Sequence, residues 1–273
     1  MDRWPPSVDR AGVAVRADGI RDVQRALPEE VPVAMVYDGS TQAVMMATPM
    51  DIADFAHGFA FTEGAVTALD QIEGFELAEH PAGIEARLWL RPDRRDAIAA
   101  RRRYMAGPVG CGLCGIDSLE EAVRPLPHVG GDLRLAHAEI AGATDRLRDC
   151  QPLHDKTRAT HAAGFLRPGE GMVMAREDVG RHNALDKLIG ALLRQGIDPA
   201  GGAIVMSSRL SVELLQKCAV AGCPMLIAVS APTAHAVRLA EGAGITLAVC
   251  AQGDGFVLYT HLQRVVPEVS DVA

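Results

Sequence analysis

Two cysteines, Cys111 and Cys114, stand in the run Ala106-Gly107-Pro108-Val109-Gly110-Cys111-Gly112-Leu113-Cys114-Gly115. Thiols two residues apart can share a metal, exchange as a dithiol, or carry sulfur as a persulfide. All three chemistries use the thiolate. The arginine-rich segment just upstream (Arg94, Arg95, Arg101, Arg102 and Arg103) favours that form if it folds close to the pair. Glycines on both sides make the sulfurs reachable and are too many for regular structure, so the run reads as a loop. The plain alternative is a coincidental pair, although two structural cysteines would sit more naturally in an apolar run. A zinc site needs one or two further ligands, and the sequence holds no second pair of this spacing. His137-Ala138-Glu139 matches half of a zinc deaminase signature, but there the cysteine pair follows the histidine and comes directly after a proline. Here Cys111 precedes His137 and follows Gly110, so no metal site is expected and His137 reads as an ordinary strand or helix histidine. A thioredoxin-like role is disfavoured because the pair does not open a βαβ unit. Cys150, Cys218 and Cys223 read as core or near-surface residues.

Positioning elements are clearest in the second half. Apolar runs at 203–206, 225–229 and 245–249 alternate with helical stretches at 211–221 and 233–243, and a last strand is expected at 256–260. That β-α-β-α-β order calls for a parallel sheet, whose ligands bind at the carboxyl ends of the strands, near helix N-termini. The loops there contain Ser207, Ser208 and Arg209, then Ser230 and Thr233, then Cys250-Ala251-Gln252-Gly253-Asp254-Gly255. Hydroxyls, an arginine and glycines can cradle a phosphate or nucleotide, while the plain reading is that Ser and Thr cap the next helices. Upstream, 177–193 carries a helical stripe opened by the polar run Arg176-Glu177-Asp178-Val179-Gly180-Arg181-His182-Asn183. This run, with His182, reads either as an anion contact or as a solvated helix start with internal ion pairs. His161 and His57 both read as satisfied core histidines.

The first half reads as α+β. Residues 33–47 form a hairpin around Asp38-Gly39, 52–64 a short helix, 69–90 strands, 93–104 a basic helix, and 117–123 a further helix before a linker. The 273-residue chain carries a net charge of −8, which excludes a nucleic-acid binder working through overall positive charge. With 48% apolar and 23% charged residues, a globular protein with a sizeable core is expected rather than a disordered chain. The polar, proline-broken start gives no secretory signal, and Gly222, Pro224 and Pro232 interrupt the uncharged stretch 218–237, so no membrane span is expected. A cytoplasmic location with reduced thiols follows.

Seven segments together resemble one family. These are 48–59 (Thr-Pro-Met-Asp-Ile-Ala-Asp-Phe-Ala-His-Gly-Phe), 111–115 (Cys-Gly-Leu-Cys-Gly), 160–164 (Thr-His-Ala-Ala-Gly), 177–187 (Glu-Asp-Val-Gly-Arg-His-Asn-Ala-Leu-Asp-Lys), 207–209 (Ser-Ser-Arg), 229–233 (Val-Ser-Ala-Pro-Thr) and 259–261 (Tyr-Thr-His). They look like the FdhD family of formate dehydrogenase accessory sulfurtransferases, over roughly residues 30 to 265. The resemblance implies a cytoplasmic homodimer with a cytidine-deaminase-like α/β core at 151–265 that has lost the deaminase zinc site. A smaller, β-rich N-terminal subdomain at 31–150 would bear the 107–115 loop, with tails at 1–30 and 266–273. It implies that sulfur arrives from a cysteine desulfurase as a persulfide. The sulfur then passes to the molybdenum or tungsten bis-guanine-dinucleotide cofactor before insertion into formate dehydrogenase. By that analogy Cys111 carries the persulfide and Cys114 assists transfer or protects the loop. The family's cofactor-binding turn falls on Cys250 to Gly255, which lacks the basic residue of some relatives, so backbone contacts are expected to dominate there. Competing classes are a zinc-dependent deaminase-like hydrolase, a dithiol oxidoreductase, and a cofactor-binding chaperone that needs neither thiol.

Overall fold

The structure, a computed structural model, describes residues 3–105, 126–253 and 255–266. Cys111, Cys114, Asp254, the 117–123 helix and the tail beyond 266 therefore lie outside the described residues.

The first thirty residues are not the expected tail. Strands β1 (Ser7–Arg16) and β2 (Gly19–Pro28) pair antiparallel, with Val15 opposite Ile20 and Arg16 opposite Gly19. The signal was Asp18-Gly19, a hairpin turn pair, obscured because charged residues interrupt the apolar alternation on both sides. The hairpin expected at 33–47 is present as β3 (Val31–Tyr37) and β4 (Ser40–Ala47). Its turn has Asp38 at φ 48° and Gly39 at φ 77°, the pair of positive angles that suits the strand twist. Helix α1 (Ile52–Thr62) follows, then β5 (Ile72–His80), β6 (Gly83–Leu90) and α2 (Pro92–Met105). The first sheet has the order β4-β3-β6-β5, with β3 and β6 parallel. Val33, Met35, Ala86, Leu88 and Leu90 of this sheet pack onto Ile52, Phe55, Ala56 and Ala60 of α1.

The second body starts earlier than position 151. Strand β7 (Leu135–Ala136) and the short helices α3 (His137–Ala141), α4 (Ala143–Asp149) and α5 (Pro152–Thr157) come before β8 (His161–Arg167) and β9 (Gly171–Asp178). Leu135, Ile140, Ala143 and Leu147 are buried against Leu166, Val205 and Ile227, so the stretch from 133 belongs to the C-terminal core. Helix α6 (Arg181–Arg194) leads into the alternating series β10 (Ala203–Met206), α7 (Val212–Ala221), β11 (Met225–Ala228), α8 (Ala234–Ala243) and β12 (Thr246–Gln252). Strands β13 (Gly255–Leu258) and β14 (Val265–Val266) close the chain. The six-stranded sheet runs β13-β12-β11-β10-β8-β9, with β10, β11 and β12 parallel as expected and β8 antiparallel to β10. Side chains alternate between its faces. Ile204 and Met206 pack under α6, α7 and α8, while Ala203 and Val205 face α3 and α4. Among the described residues no helix is long and apolar enough to cross a membrane.

The two bodies meet where α1 crosses α6. A Cβ on Gly58 would stand 1.8 Å from the Asp186 carbonyl oxygen, and one on Gly190 would stand 1.9 Å from that of Asp54. Only glycine permits backbones to touch in this way. Side chains then fasten the seam. Asp54 is shared by Arg176, at 2.8 Å, and by Arg194, while Asp186 accepts from Thr62 Oγ1 at 2.7 Å and pairs with Lys217 at 3.0 Å.

We expect Gly190→Ala to lose about 1–3 kcal/mol through overpacking, seen as a lower urea midpoint. Gly242→Ala, whose Cβ meets nothing within 4 Å, should lose none. Equal midpoints for the two variants would contradict the backbone contact.

Candidate functional site

A cleft of about 530 Å³ opens at the carboxyl ends of the parallel strands, where open α/β sheets bind ligands. Ser207 follows β10, Val229 follows β11, and Ala251 and Gln252 end β12. The opposite wall is the α4–α5 region, with Thr144, Arg148, Gln151, His154 and Arg158. His161, at the start of β8, completes it.

Local hydrogen bonds hold this wall in place. Glu177, buried at the end of β9, accepts from the Leu153 and His154 amides at 2.8 and 2.7 Å and from Thr160 Oγ1 at 3.1 Å. A carboxylate there also suits the positive end of α5. Thr144 Oγ1 donates to the Ala251 carbonyl at 2.6 Å, tying α4 to the turn after β12. His154 Nδ1 donates to the Thr160 carbonyl at 2.8 Å. Ser207 Oγ accepts from the Ala162 amide at 2.8 Å and lies 3.4 Å from His161 Nδ1.

The cleft is cationic. Arg148 and Arg158 line it, and His161 is held below its ordinary pKa by burial first, then by Arg181, His154 and His182. A proton on His161 is therefore disfavoured until an anion is present to offset those neighbours. Gln151 is 3% exposed and its Nε2 has no partner, while Arg148 is partly exposed and pairs through Nη2 with Asp155 at 2.5 Å.

Of the residues expected at a binding site, the structure brings Ser207, Ala251 and Gln252 to the cleft. Cys250 and Gly253 share their turn, with positive φ of 52° and 66°; the Cys250 thiol is exposed, and Gly255 opens β13. The other expected residues do not line it. Ser208 is buried and its hydroxyl donates to the Arg209 carbonyl at 3.1 Å, while Arg209 is exposed. Thr233 caps α8 by accepting from the Ala236 amide at 3.2 Å, which is the plain reading. Ser230 belongs to a loop bridged to the first one through Leu210 and Pro232. His182 faces Glu213 at 2.7 Å, and that contact holds the Glu213 carboxyl below its usual range. His161 is a cleft residue rather than a core one. His57 does pack as a satisfied histidine, donating from Nδ1 to the Ala53 carbonyl at 2.7 Å and stacking on Phe75 at 4.8 Å.

The 176–183 run is not a solvated helix start. Strand β9 extends to Asp178, and α6 begins only at Arg181. Asp178 and Lys187, both 0% exposed, pair at 2.7 Å. Asp178 also accepts from the Thr48 amide at 2.9 Å and from Asn183 Nδ2 at 2.9 Å, and Lys187 donates to the Thr48 carbonyl at 2.9 Å. The segments 48–59 and 177–187 are thus two sides of one contact.

Sequence reasoning missed Arg148, Gln151, His154 and Arg158. The available signal was the clustering of Arg146, Arg148, His154, Lys156 and Arg158 around Gln151-Pro152, where proline marks a helix start. Among the described residues no cluster of three or more His, Cys, Asp or Glu could hold a metal.

Fold and cleft together define a mixed α/β protein with an anion-receptive cleft at the ends of its parallel strands. The chain belongs to the FdhD/NarQ family, whose model matches residues 28–266. It is 50% identical over 244 residues, 89% of this chain and 90% of the relative, to a sulfur carrier protein FdhD from Agrobacterium fabrum. It is 49% identical over 255 residues, 93% of this chain and 95% of the relative, to the protein of the same name from Brucella abortus. A crystal structure of a candidate formate dehydrogenase accessory protein from Desulfotalea psychrophila superposes with a TM-score of 0.77 at 23% identity. It covers 96% of this chain and 100% of that one, which establishes the shared fold.

Two outcomes follow from this geometry. Lys187→Met leaves the Asp178 carboxylate buried without its cation and should cost about 3–5 kcal/mol, measured by urea unfolding; a loss under about 1 kcal/mol would contradict the buried pair. The His161 Cε1 proton, followed by NMR, should titrate with a midpoint below the ordinary histidine value of 6.5. Because the unfolded chain takes that proton first, His161 lowers stability as pH falls below 6.5 toward the folded midpoint. A midpoint at or above 6.5 would show that the surrounding cations do not act on it.

Proposed function

We propose that this chain is a sulfur carrier that accepts sulfur from a cysteine desulfurase as a persulfide. It then delivers that sulfur to the molybdenum or tungsten bis-guanine-dinucleotide cofactor destined for formate dehydrogenase. The observation that carries the reading is near-full-length identity of about one half to proteins named sulfur carriers, in a chain that contains the Cys111–Cys114 pair.

The chemistry is thiol–persulfide exchange. The Cys111 thiolate attacks the outer sulfur of the donor's cysteine persulfide; the new S–S bond forms as the donor's S–S bond breaks, and the donor leaves as a thiolate. The cofactor is the cargo. Its phosphates suit Arg148 and Arg158. Cys250, Ala251, Gln252 and Gly253 then offer mainly backbone groups to it, with Ser207 and His161 beside them. Arg209, Ser208, Ser230, Thr233 and His182, outside the cleft lining, keep the neighbouring loops in shape in this reading. The order β9-β8-β10-β11-β12, with β8 antiparallel to the parallel run, supports a cytidine-deaminase-like core. A homodimeric, cytoplasmic protein fits the same reading.

The test is intact-protein mass spectrometry after incubation with a cysteine desulfurase and cysteine. Wild type should gain sulfur that a reductant removes. Cys111→Ala should gain none there while keeping its thermal melt. Sulfur on neither protein would point instead to a chaperone that holds the cofactor without thiol chemistry.

A further inference from the structure

The β1–β2 ribbon has no part in the thiol chemistry, and neither core buries it. It is a sheet of two strands, and β2 touches the C-terminal body along α5, whose His154 lines the cleft. Two strands alone are marginal in water, so the groups on its faces decide what it can do.

Residues paired across an antiparallel ribbon share a face, and neighbours along a strand alternate between faces. The register sets Arg10 opposite Arg25, Ala14 opposite Arg21 and Arg16 opposite Gly19, which gathers four arginines on one face. From Arg10 to Arg16 the stripe is about 20 Å long. All four are exposed, and none makes an ion pair with another described residue. Like charges directly opposite each other, as at Arg10 and Arg25, weaken a ribbon. Asp9 and Asp22 fall on the other face, together with Val13, Val15 and Ile20 near the turn, which are 59%, 73% and 74% exposed. An uncompensated arginine row backed by an uncovered apolar tip is unfavourable for a free arm and complementary to an acidic protein surface with an apolar recess. A long polyanion such as duplex DNA would meet a chain of net charge −8.

Position selects the partner. Because β2 lies along α5, whatever the ribbon grips is held beside the cleft. Of the two proteins in the sulfur-carrier reading, the enzyme that receives the cofactor must approach the cleft, whereas the donor meets Cys111. We propose that the arginine face of the β1–β2 ribbon docks an acidic surface of cofactor-free formate dehydrogenase and holds it beside the cleft for hand-over. This rests on the reading of the cleft as the seat of the cofactor and goes beyond it by naming the docking surface.

Calorimetry on the full chain, with cofactor-free formate dehydrogenase of the same organism as the probe, tests it. Wild-type binding should weaken as salt rises from about 0.05 to 0.5 M, because the screening length shortens. Arg10→Glu sets an acid opposite Arg25, which favours the ribbon while removing positive charge from its face. Combined with Arg21→Glu, it should weaken binding at least about tenfold, chiefly through slower association, and flatten the salt dependence. Asp9→Asn with Asp22→Asn, on the other face, should bind as tightly as wild type or more tightly. Persulfide loading of Cys111 by the desulfurase should be unchanged in both double variants.

Wild-type affinity in the arginine double variant overturns docking by the ribbon and leaves the sulfur-carrier reading intact. Equal losses in the two double variants trace the effect to folding of the ribbon rather than to its arginine face, and also overturn it. Loss of sulfur loading in the arginine variant assigns the ribbon to the donor. Duplex DNA bound by wild type but not by that variant, with the dehydrogenase unaffected, assigns it to nucleic acid; either result overturns the proposal. A wild type that loads sulfur without binding the dehydrogenase overturns the inference alone, and one that does neither overturns the sulfur-carrier reading as well.

Discussion

The contact on which the rest of the molecule depends is the crossing of α1 over α6, where Gly58 and Gly190 let two helix backbones touch. Apolar faces alone would leave that crossing free to slide, because burial of apolar area is non-directional. Charged groups sunk into the seam fix it. Asp54 takes Arg176 and Arg194, Asp186 takes Lys217, and Asp178 takes Lys187 with the Thr48 backbone on either side. Buried pairs of this kind add little net stability over apolar packing, yet separating one is severe. Their effect is on register: a shift by one turn would strand several charges at once. The N-terminal sheet is thereby held against the C-terminal sheet in one position.

The same arrangement accounts for a cationic cleft in a chain of net charge −8. The acidic groups nearest the sheet are used internally. Glu177 spends its oxygens on two backbone amides and a hydroxyl, and Asp178 on a lysine, an asparagine and a backbone amide. What remains facing the open end of the sheet is Arg148, Arg158, His154 and His161, with Asp145 beside them and Asp155 paired to Arg148. Low-dielectric walls concentrate the field of such a group, so local sign rather than total charge governs which ligand enters. Overall composition says nothing about this cleft.

Much of the fold was legible where the signal is local and periodic. Asp38-Gly39 between apolar runs announced its hairpin, and the β10-α7-β11-α8-β12 series announced a parallel sheet with its ligand end. The β1–β2 ribbon escaped because Arg and Asp interleave its apolar positions, most of which are exposed, leaving little hydrophobic contrast. The 177–187 run was misjudged for a different reason. Reading charged residues as solvated is sound for single side chains, and it fails when the partner lies more than a hundred residues away, as Thr48 does from Asp178 and Lys187. The cleft wall was missed because α4 and α5 have seven and six residues, too short for a hydrophobic period to develop.

Glu177 links the seam to the site. Its carbonyl oxygen accepts from Lys187 Nζ at 3.4 Å, on the seam side, while its carboxylate holds the Leu153 and His154 amides that shape the cleft wall. Residues 151–154 are also held by bonds within and beside α5, from the Asp155 amide to the Gln151 carbonyl at 3.0 Å, from Thr157 Oγ1 to the Leu153 carbonyl at 2.8 Å and from His154 Nδ1 to the Thr160 carbonyl at 2.8 Å. The start of α5 is therefore set both by its own backbone bonds and by a carboxylate on β9. Fold alignment and the shape of the cleft wall thus share Glu177, which explains how the 177–187 segment contributes to the site while only Val179 of it lines the cleft.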